Sequence, residues 1–417
     1  MAQLSDDCFA FGGALLSVDA ALRLIEERVG PVVETETAPL PAALGRVLAR
    51  DLAADMDLPA HANSAVDGYA VAHADLQPDR DTVLPVGGRA AAGHPLGRAL
   101  RRGEAIRIFT GAPMPEGADT VMMQEDCTAD GDRVRLRPGI RLGANRRRAG
   151  EDVECGKVAL AAGRRLRAAD LGLAAALGQR ELPVFRRLRV ALLSTGDEVC
   201  EPGTPLRAGA IYDANRFMLM ALLAALGCEV SDLGIVADRE AALADALSAA
   251  AETHDLLVTS GGVSTGEEDH VKPAITRLGR LDFWRLAIKP GRPVALGQVR
   301  GVPLIGLPGN PVAAAVTFIV LARPLILRLE GAVEPPPPLY RVTAGFAYRK
   351  KPGRREYIRA RLDAGEGGLV AHKYERDGAG ILSSITRSDG LVILDETIAE
   401  LAAGNVVDFL PFAGVLP

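Results

Sequence analysis

DLLVTSGGVSTGEEDHVK, residues 255–272, carries an apolar run into two glycines and then into three consecutive acids. The run 255–259 has the length and β-branched content of a buried strand, and the glycines mark the tight turn that ends it. The same pattern occurs twice more: LRVALLS (188–194) leads into STGDE (194–198), and VPLIGL (302–307) leads into GLPGNP (306–311). Between these runs the spacing predicts a helix over 214–226 stopped by Gly227, a strand over 228–236 and a helix over 239–253. A further helix begins near 312. Strands alternating with helices of this length imply a mostly parallel sheet covered on both faces, so the fold class at 183–330 is a three-layer α/β domain.

Ligands of open parallel sheets bind outside the carboxyl ends of the strands, and all three glycine turns open there. Free amides and helix N-termini at that edge attract anions. Ser194, Thr195 and Gly196 belong to the first turn, Ser260, Gly261, Gly262 and Ser264 to the second, and Pro308, Gly309, Asn310 and Pro311 to the third. The acids beside them, Glu198, Asp238 and Asp269, fit a hard divalent cation, because Mg²⁺ bridges one or two carboxylates to phosphate oxygens. Asp238 has the alternative of capping a helix, and Glu267 and Glu268 that of a solvated first helical turn. A metal would let acids and phosphate share one site.

Other chemistries are weakly represented. No Walker loop and no strand-linked G-x-G-x-x-G occurs. The six histidines show no H-x-H or H-E-x-x-H spacing, and G-x-S-x-G is missing, so a histidine metal site and a hydrolase triad both lose ground. Lys289 and Arg292, in IKPGRP, flank a Pro-Gly turn; they could neutralise an oxyanion or lie on the surface.

Working outward, 417 residues suit two to four domains at ~100–200 residues each. Glycine (45) and proline (27) make up about a sixth of the chain, which implies many tight turns but not disorder. Ser17 caps an expected helix over 18–29, and a second is expected near 41–53 from the alignment of Leu44, Val47, Leu48 and Leu52. From 55 to 140, short apolar runs are cut by glycine and proline, the texture of a β-rich module. A helix is expected at 168–178, PPPP (335–338) is a stiff linker, and 339–417 returns to short alternating strands. The expected domains are therefore 1–50 with 141–182 (helical and linking), 51–140 (β-rich), 183–330 (α/β) and 331–417 (small, β-barrel-like).

A net charge of −5 gives no general reason to bind nucleic acid or an acidic membrane. Five dispersed cysteines without a C-x-x-C pair suit a reducing compartment. The amino terminus, MAQLSDDCFAFGG, lacks a secretory pattern. The longest apolar run, 312–322, stops at Arg323-Pro324 and is shorter than the ~20 residues of a membrane span. A soluble cytoplasmic protein is expected.

The motifs resemble one family: the molybdopterin molybdenumtransferases, comprising the MoeA proteins and the gephyrin E domain. LPAHANSAVDGYAV (58–71), GEAIRIFTGAPMPEGADTVMMQED (103–126), NRRRAGEDV (145–153), LLSTGDE (192–198), IYDANR (211–216), the opening stretch and GLPGNPVAAAVTF (306–318) all look like its signatures, in order, over nearly the whole chain. The resemblance implies a multidomain α/β protein whose central domain is of the molybdopterin-binding type. It implies a homodimer with a site shared between subunits and completed by the partner's carboxyl-terminal domain. Upstream adenylyltransferase and acceptor molybdoenzymes are its implied partners. The implied reaction inserts molybdate into adenylyl-molybdopterin, with Mg²⁺ present, releasing AMP and the molybdenum cofactor.

Positions matching the family's functional residues are Asp67, Thr110, Arg147, Asp152, Glu198, Asp238, Asp269, Lys289, Pro308 and Pro311. Arg354, Arg359 and Ser383 or Ser384 are the candidates to help hold molybdate. Arg285 and Arg292 stand where bacterial relatives often carry lysine, and a planar fork there replaces a compact ammonium. Thr265 stands where valine is common, and RDGAG (376–380) lacks the serine-bearing variant usual at that point. Two other functions fit some of these features: a cofactor-binding scaffold without catalysis, and an adenylyltransferase acting on molybdopterin.

Overall fold

Strands with continuous apolar sequence stay together only when both faces are covered, and the centre of this protein meets that condition. The structure, a computed structural model, describes residues 15–262 and 271–416. It divides into two units: Met1–Arg50, Ala162–Leu166 and Leu182–Pro417 form the larger, and Asp51–Ala161 with Arg167–Glu181 form the smaller.

In the larger unit, helix α1 (Val18–Arg28) starts at Ser17, whose hydroxyl accepts from the Ala20 amide at 3.2 Å. The central sheet follows: β1 (Arg189–Thr195), α2 (Asn215–Ala225), β2 (Glu229–Val236), α3 (Glu240–Ala251), β3 (Leu256–Ser260), α4 (Val271–Leu278), β4 (Gly279–Arg285), β5 (Pro293–Val299), β6 (Val302–Leu307) and α5 (Pro311–Leu329). The strand order is β2-β1-β3-β6-β5-β4. The first four strands pair in parallel and the last two add antiparallel edges. Alternation along β1 divides the core. Val190 and Leu192 pack with Leu219 and Leu223 of α2 and with α5, while Ala191 and Leu193 pack with Leu243 and Leu247 of α3 and with α4. Each fully buried aliphatic side chain contributes about 1.5–3 kcal/mol, and these two layers fix the carboxyl edge that carries the glycine turns.

Helix α5, expected to begin near 312, runs past the end of the apolar run at Arg323-Pro324 and continues to Leu329 through a π-helical turn at Phe318–Ala322. That local shift in hydrogen bonding lies just before Pro324, where the missing N–H would fall. By length and composition α5 could cross a membrane, but 83% of its most apolar window is buried in the core.

The carboxyl-terminal segment is a closed five-stranded barrel, as its alternating strands suggested. Strands β7 (Tyr340–Ala344), β8 (Arg355–Gly365), β9 (Gly368–Lys373), β10 (Gly390–Leu394) and β11 (Val406–Pro411) run in the order β8-β9-β7-β11-β10, and β10 returns to β8. Ile288–Lys289 pairs in parallel with Arg355–Glu356, so the segment after β4 is bonded to the barrel.

The helix expected over 41–53 does not form. A single 3₁₀ turn at Leu40–Ala42 gives way to extended chain, and Leu52–Ala53 is a short strand. Gly45 sits at φ +73°, which ends any helix there. Val47 and Leu48 are buried by bridging to Arg165 and Val184, whereas Leu44 is left 55% exposed.

The smaller unit is β-rich, as expected, with six strands in the order Thr120–Met123, Gly68–Val71, Ala105–Ile108, Thr82–Ala90, Arg133–Leu136 and Cys127–Asp130. Helix Ala168–Ala176 belongs to it.

Candidate functional site

The three glycine turns meet at the carboxyl edge around a cavity of about 290 Å³. Ser194, Thr195 and Glu198 line it from the first turn, Ser260 and Gly261 from the second, and Gly309, Asn310 and Pro311 from the third. Positive φ permits the second turn: Gly261 at +87° and Gly262 at +64°. A Cβ on Gly261 would lie 2.6 Å from the Thr195 carbonyl oxygen, and one on Gly262 would lie 2.1 Å from Val271 Cγ2. The backbone of this turn therefore packs where no side chain fits.

Asn215, at the start of α2, ties the turns together. Its Nδ2 donates to Ser260 Oγ at 2.9 Å and to the carbonyl oxygens of Gly309 at 2.7 Å and Pro308 at 3.4 Å. The neighbouring Asp213 is buried and bonded to Arg216, which also meets Asp232 and Glu201. Burial opposes the Arg216 charge, but hydrogen bonds to these three acids more than offset it and raise its pKa. Among the described lining residues there is no lysine, arginine or histidine. Phosphate there would meet amides and carboxylates, which is the situation a divalent cation resolves.

Glu198 is exposed at this edge, its carboxylate lying over Gly196 (φ +140°). Asp238 is not the cap of α3: that position is Arg239, with no side-chain cap bond. Asp269, the third expected metal ligand, and Ser264 and Thr265 lie outside the described residues, as do Glu267 and Glu268. Among the described residues no three acid, histidine or cysteine side chains gather closely enough to hold a metal alone. The donors that are present, hard carboxylates on the loops that frame the cavity, suit an ion that completes its shell with substrate oxygens.

A second cavity, about 280 Å³, shares the third turn: Pro308 and Asn310 line it together with Lys289, Arg292, Arg359, Lys373 and Arg376. Lys289 Nζ donates to Glu356 Oε2 at 3.1 Å and Tyr348 Oη at 3.2 Å, and Tyr348 Oη donates to the same carboxylate at 2.8 Å. Burial works against the Lys289 ammonium, yet the bonds to Tyr348 and Glu356 raise its pKa overall. Arg359 is 7% exposed and pairs with no carboxylate among the described residues. Its Nε donates to Ser384 Oγ at 3.0 Å and its terminal nitrogen to the Gly378 carbonyl at 3.2 Å, and burial depresses its pKa. A buried guanidinium with only neutral partners is an anion-seeking group.

The smaller unit holds the remaining motif residues. Asp67 accepts from the Thr110 amide and hydroxyl, both at 2.8 Å, which keeps its carboxyl below the ordinary range. Arg147 pairs in the backbone with Asn63, and Ser64 bonds Ala112 and Gly111, so the loops bearing Asp67, Thr110 and Arg147 converge. Arg147 and Asp152 are exposed there.

Six expected residues of the larger unit, Gly196, Asp238, Gly262, Arg285, Arg354 and Ser383, are missing from the lining of both cavities. Arg285 is exposed at the end of β4, Arg354 lies outside the lining of the second cavity, and Ser383 is exposed. Ser384, not Ser383, holds Arg359. Sequence reasoning missed Asn215, Tyr348, Glu356 and Lys373. Asn215 lay inside a quoted motif, and its polarity at a helix start was the available signal. The other three share the cavity with Lys289 only through contacts between segments distant in sequence.

Residues 16–178 match the MoeA N-terminal region (domain I and II), 191–328 the probable molybdopterin binding domain, and 341–412 the MoeA C-terminal region (domain IV). The chain is 39% identical to the molybdopterin molybdenumtransferase of Haemophilus influenzae, over 96% of this chain and all of that protein. It is 37% identical to molybdopterin molybdenumtransferase 2 of Mycobacterium tuberculosis, over 88% of this chain and 93% of the relative. A molybdopterin biosynthesis MoeA protein of Pyrococcus horikoshii OT3 superposes with a TM-score of 0.83 at 28% identity, covering 95% of this chain and 100% of that one.

Proposed function

Because the chain belongs to the molybdopterin molybdenumtransferase (MoeA) family, enzymes of molybdenum cofactor biosynthesis, we propose that it joins molybdate to adenylyl-molybdopterin and releases AMP and the cofactor. One observation carries the reading: the GLPGNP turn is a common wall between a cavity framed by glycine turns and a cavity rich in cations. A nucleotide-linked pterin in the first would have a tetrahedral oxyanion in the second as its neighbour. Lys289, Arg292 and Arg359 would hold that oxyanion by charge-assisted hydrogen bonds. No soft-ligand cluster is needed, since the dithiolene sulfurs of the substrate take the metal.

Glu198 and Asp238, with Asp269, would hold Mg²⁺, which supplies charge neutralisation at the phosphoanhydride. The chain's own part is positional: amides of the turns orient the phosphates, and Asn215 keeps the turns in register. We propose a homodimer as well, supported by the family resemblance and by a loop segment that exposes Leu206, Ile211 and Tyr212. Light scattering showing a monomer at micromolar concentration would refute it.

The test of the reaction is direct. Purified protein, adenylyl-molybdopterin, Mg²⁺ and molybdate should yield AMP together with cofactor that reconstitutes an apo-molybdoenzyme. Tight binding without molybdate-dependent AMP would point to the scaffold instead, and consumption of ATP to the adenylyltransferase.

A further inference from the structure

We infer that Asn215 Oδ1 and the Ser194 hydroxyl form a hydrogen-bonding floor that reads the N–H edge of an amino-substituted heterocycle, and so determine which ring of the substrate enters the glycine-turn cavity. The inference rests on the function proposed above, in which that cavity takes a nucleotide-linked pterin.

The orientation of the Asn215 amide is forced. Two of the atoms that its Nδ2 meets, the carbonyl oxygens of Gly309 and Pro308, can only accept hydrogen bonds. Turning the amide over would set oxygen against oxygen. Oδ1 is thus committed as an acceptor, and it has no hydrogen-bond partner among the described residues although Asn215 is 6% exposed. Ser194 is 2% exposed, and its Oγ likewise lacks a partner. Alternation from Val190 and Leu192, which pack with α2, places Ser194 on the same face of the sheet as Asn215. Both residues line the one cavity.

Buried polar atoms in folded proteins are nearly always paired, so two left unpaired on one wall mark a surface shaped for a missing partner. The partner must be a donor. Oδ1 cannot donate, the hydroxyl can do either, and the described lining adds Glu198 and Asp213 but no cation. Phosphate does not suit such a floor. The edge of a 2-amino-4-oxo pyrimidine ring, as in a pterin, offers an amino group beside a ring N–H and does suit it. The 6-amino group of adenine offers the same kind of donor from the other end of the proposed substrate.

Titration of the full chain with separate halves of the substrate distinguishes the two sources. The probes are 6-hydroxymethylpterin, followed by its own fluorescence, and AMP, followed by calorimetry. Each is paired with an oxo counterpart lacking the amino donor: the corresponding 2,4-dioxopteridine and inosine monophosphate. We expect wild type to bind the aminopterin about tenfold more tightly than the dioxo compound, whose oxygen would face Oδ1. Ser194→Ala should weaken the aminopterin about tenfold while leaving the thermal midpoint unchanged or higher, because the hydroxyl it removes has no partner to lose. If the same losses appear with AMP and not with the pterin, the floor stands with adenine as its ring. If Ser194→Ala leaves both affinities within twofold, or the oxo counterparts bind as well as the amino compounds, the inference is overturned. Wild type that binds neither half overturns the proposed function, and this inference with it.

Discussion

Single atoms decide the chemistry at the cavity walls, and two substitutions expose them. Asn215→Asp changes one NH₂ group into oxygen, which then faces the carbonyls of Gly309 and Pro308 at the distances where Nδ2 now donates. A buried donor is lost and a carboxylate is left without one, so the variant should lose about 2–4 kcal/mol of stability, read as a lower urea midpoint. An unchanged midpoint would remove Asn215 from its role as the tie between turns. Arg359→Gln keeps a donor for Ser384 but removes the charge. Molybdate affinity should fall about 10–100-fold, since charge-assisted bonds contribute about 1.5–3 kcal/mol, and equilibrium dialysis against molybdate measures it. The glycines and carboxylates of this region were legible in the sequence because their chemistry is local. Tyr348, Glu356 and Lys373 were not, since only pairing and packing between segments distant in sequence gather them around the cavity that Lys289 lines.

At the scale of elements, the strand-to-turn transitions were readable because an apolar run followed by glycine has one physical meaning, a buried strand that must bend sharply. The false helix at 41–53 shows the limit of that reading. Its apolar residues have helical spacing, but the pairing of Val47 and Leu48 with distant chain overrides the local pattern. Asp238 was misplaced by a single residue relative to the helix start, because a cap is set by backbone geometry that spacing leaves open. The turn itself yields a controlled comparison between two glycines of nearly equal φ. Gly203, at +86°, has open space around its Cβ position, whereas Gly261, at +87°, has the Thr195 carbonyl oxygen at 2.6 Å. Gly203→Ala should cost about 1–2 kcal/mol, the left-handed penalty alone. Gly261→Ala should cost at least about 2 kcal/mol more, because backbone must move. Parallel urea titrations check the difference, and equal costs would mean that the second turn is loosely packed.

Across the molecule, the central sheet has one edge built for ligands and another built to hold it together. At the carboxyl edge lie unpartnered polar atoms and glycine turns. At the amino edge the carboxylate of Asp255, itself buried, accepts from Arg186 at 2.8 and 3.0 Å and from the Arg189 amide at 2.9 Å, joining the start of β3 to the start of β1. This division was only half visible in the sequence: glycine turns announce an open edge, but nothing local tells that Asp255 meets arginines about seventy residues earlier. Burial alone would raise the Asp255 pKa, yet the hydrogen bonds from Arg186 and Arg189 outweigh it and the net direction is downward. A carboxyl whose pKa is lowered by folding binds protons more readily in the unfolded chain, so stability must fall with pH in the acid range. The contribution is complete above the ordinary aspartate value of ~3.9 and disappears as pH drops through the lower folded value. Both arginines are partly exposed, which screens the pair and limits its worth to about 2 kcal/mol. Asp255→Asn should therefore lower the urea midpoint at pH 7 and flatten its decline between pH 5 and pH 3. A variant whose midpoint tracks wild type across that range would show that the sheet is held at its amino edge by packing alone.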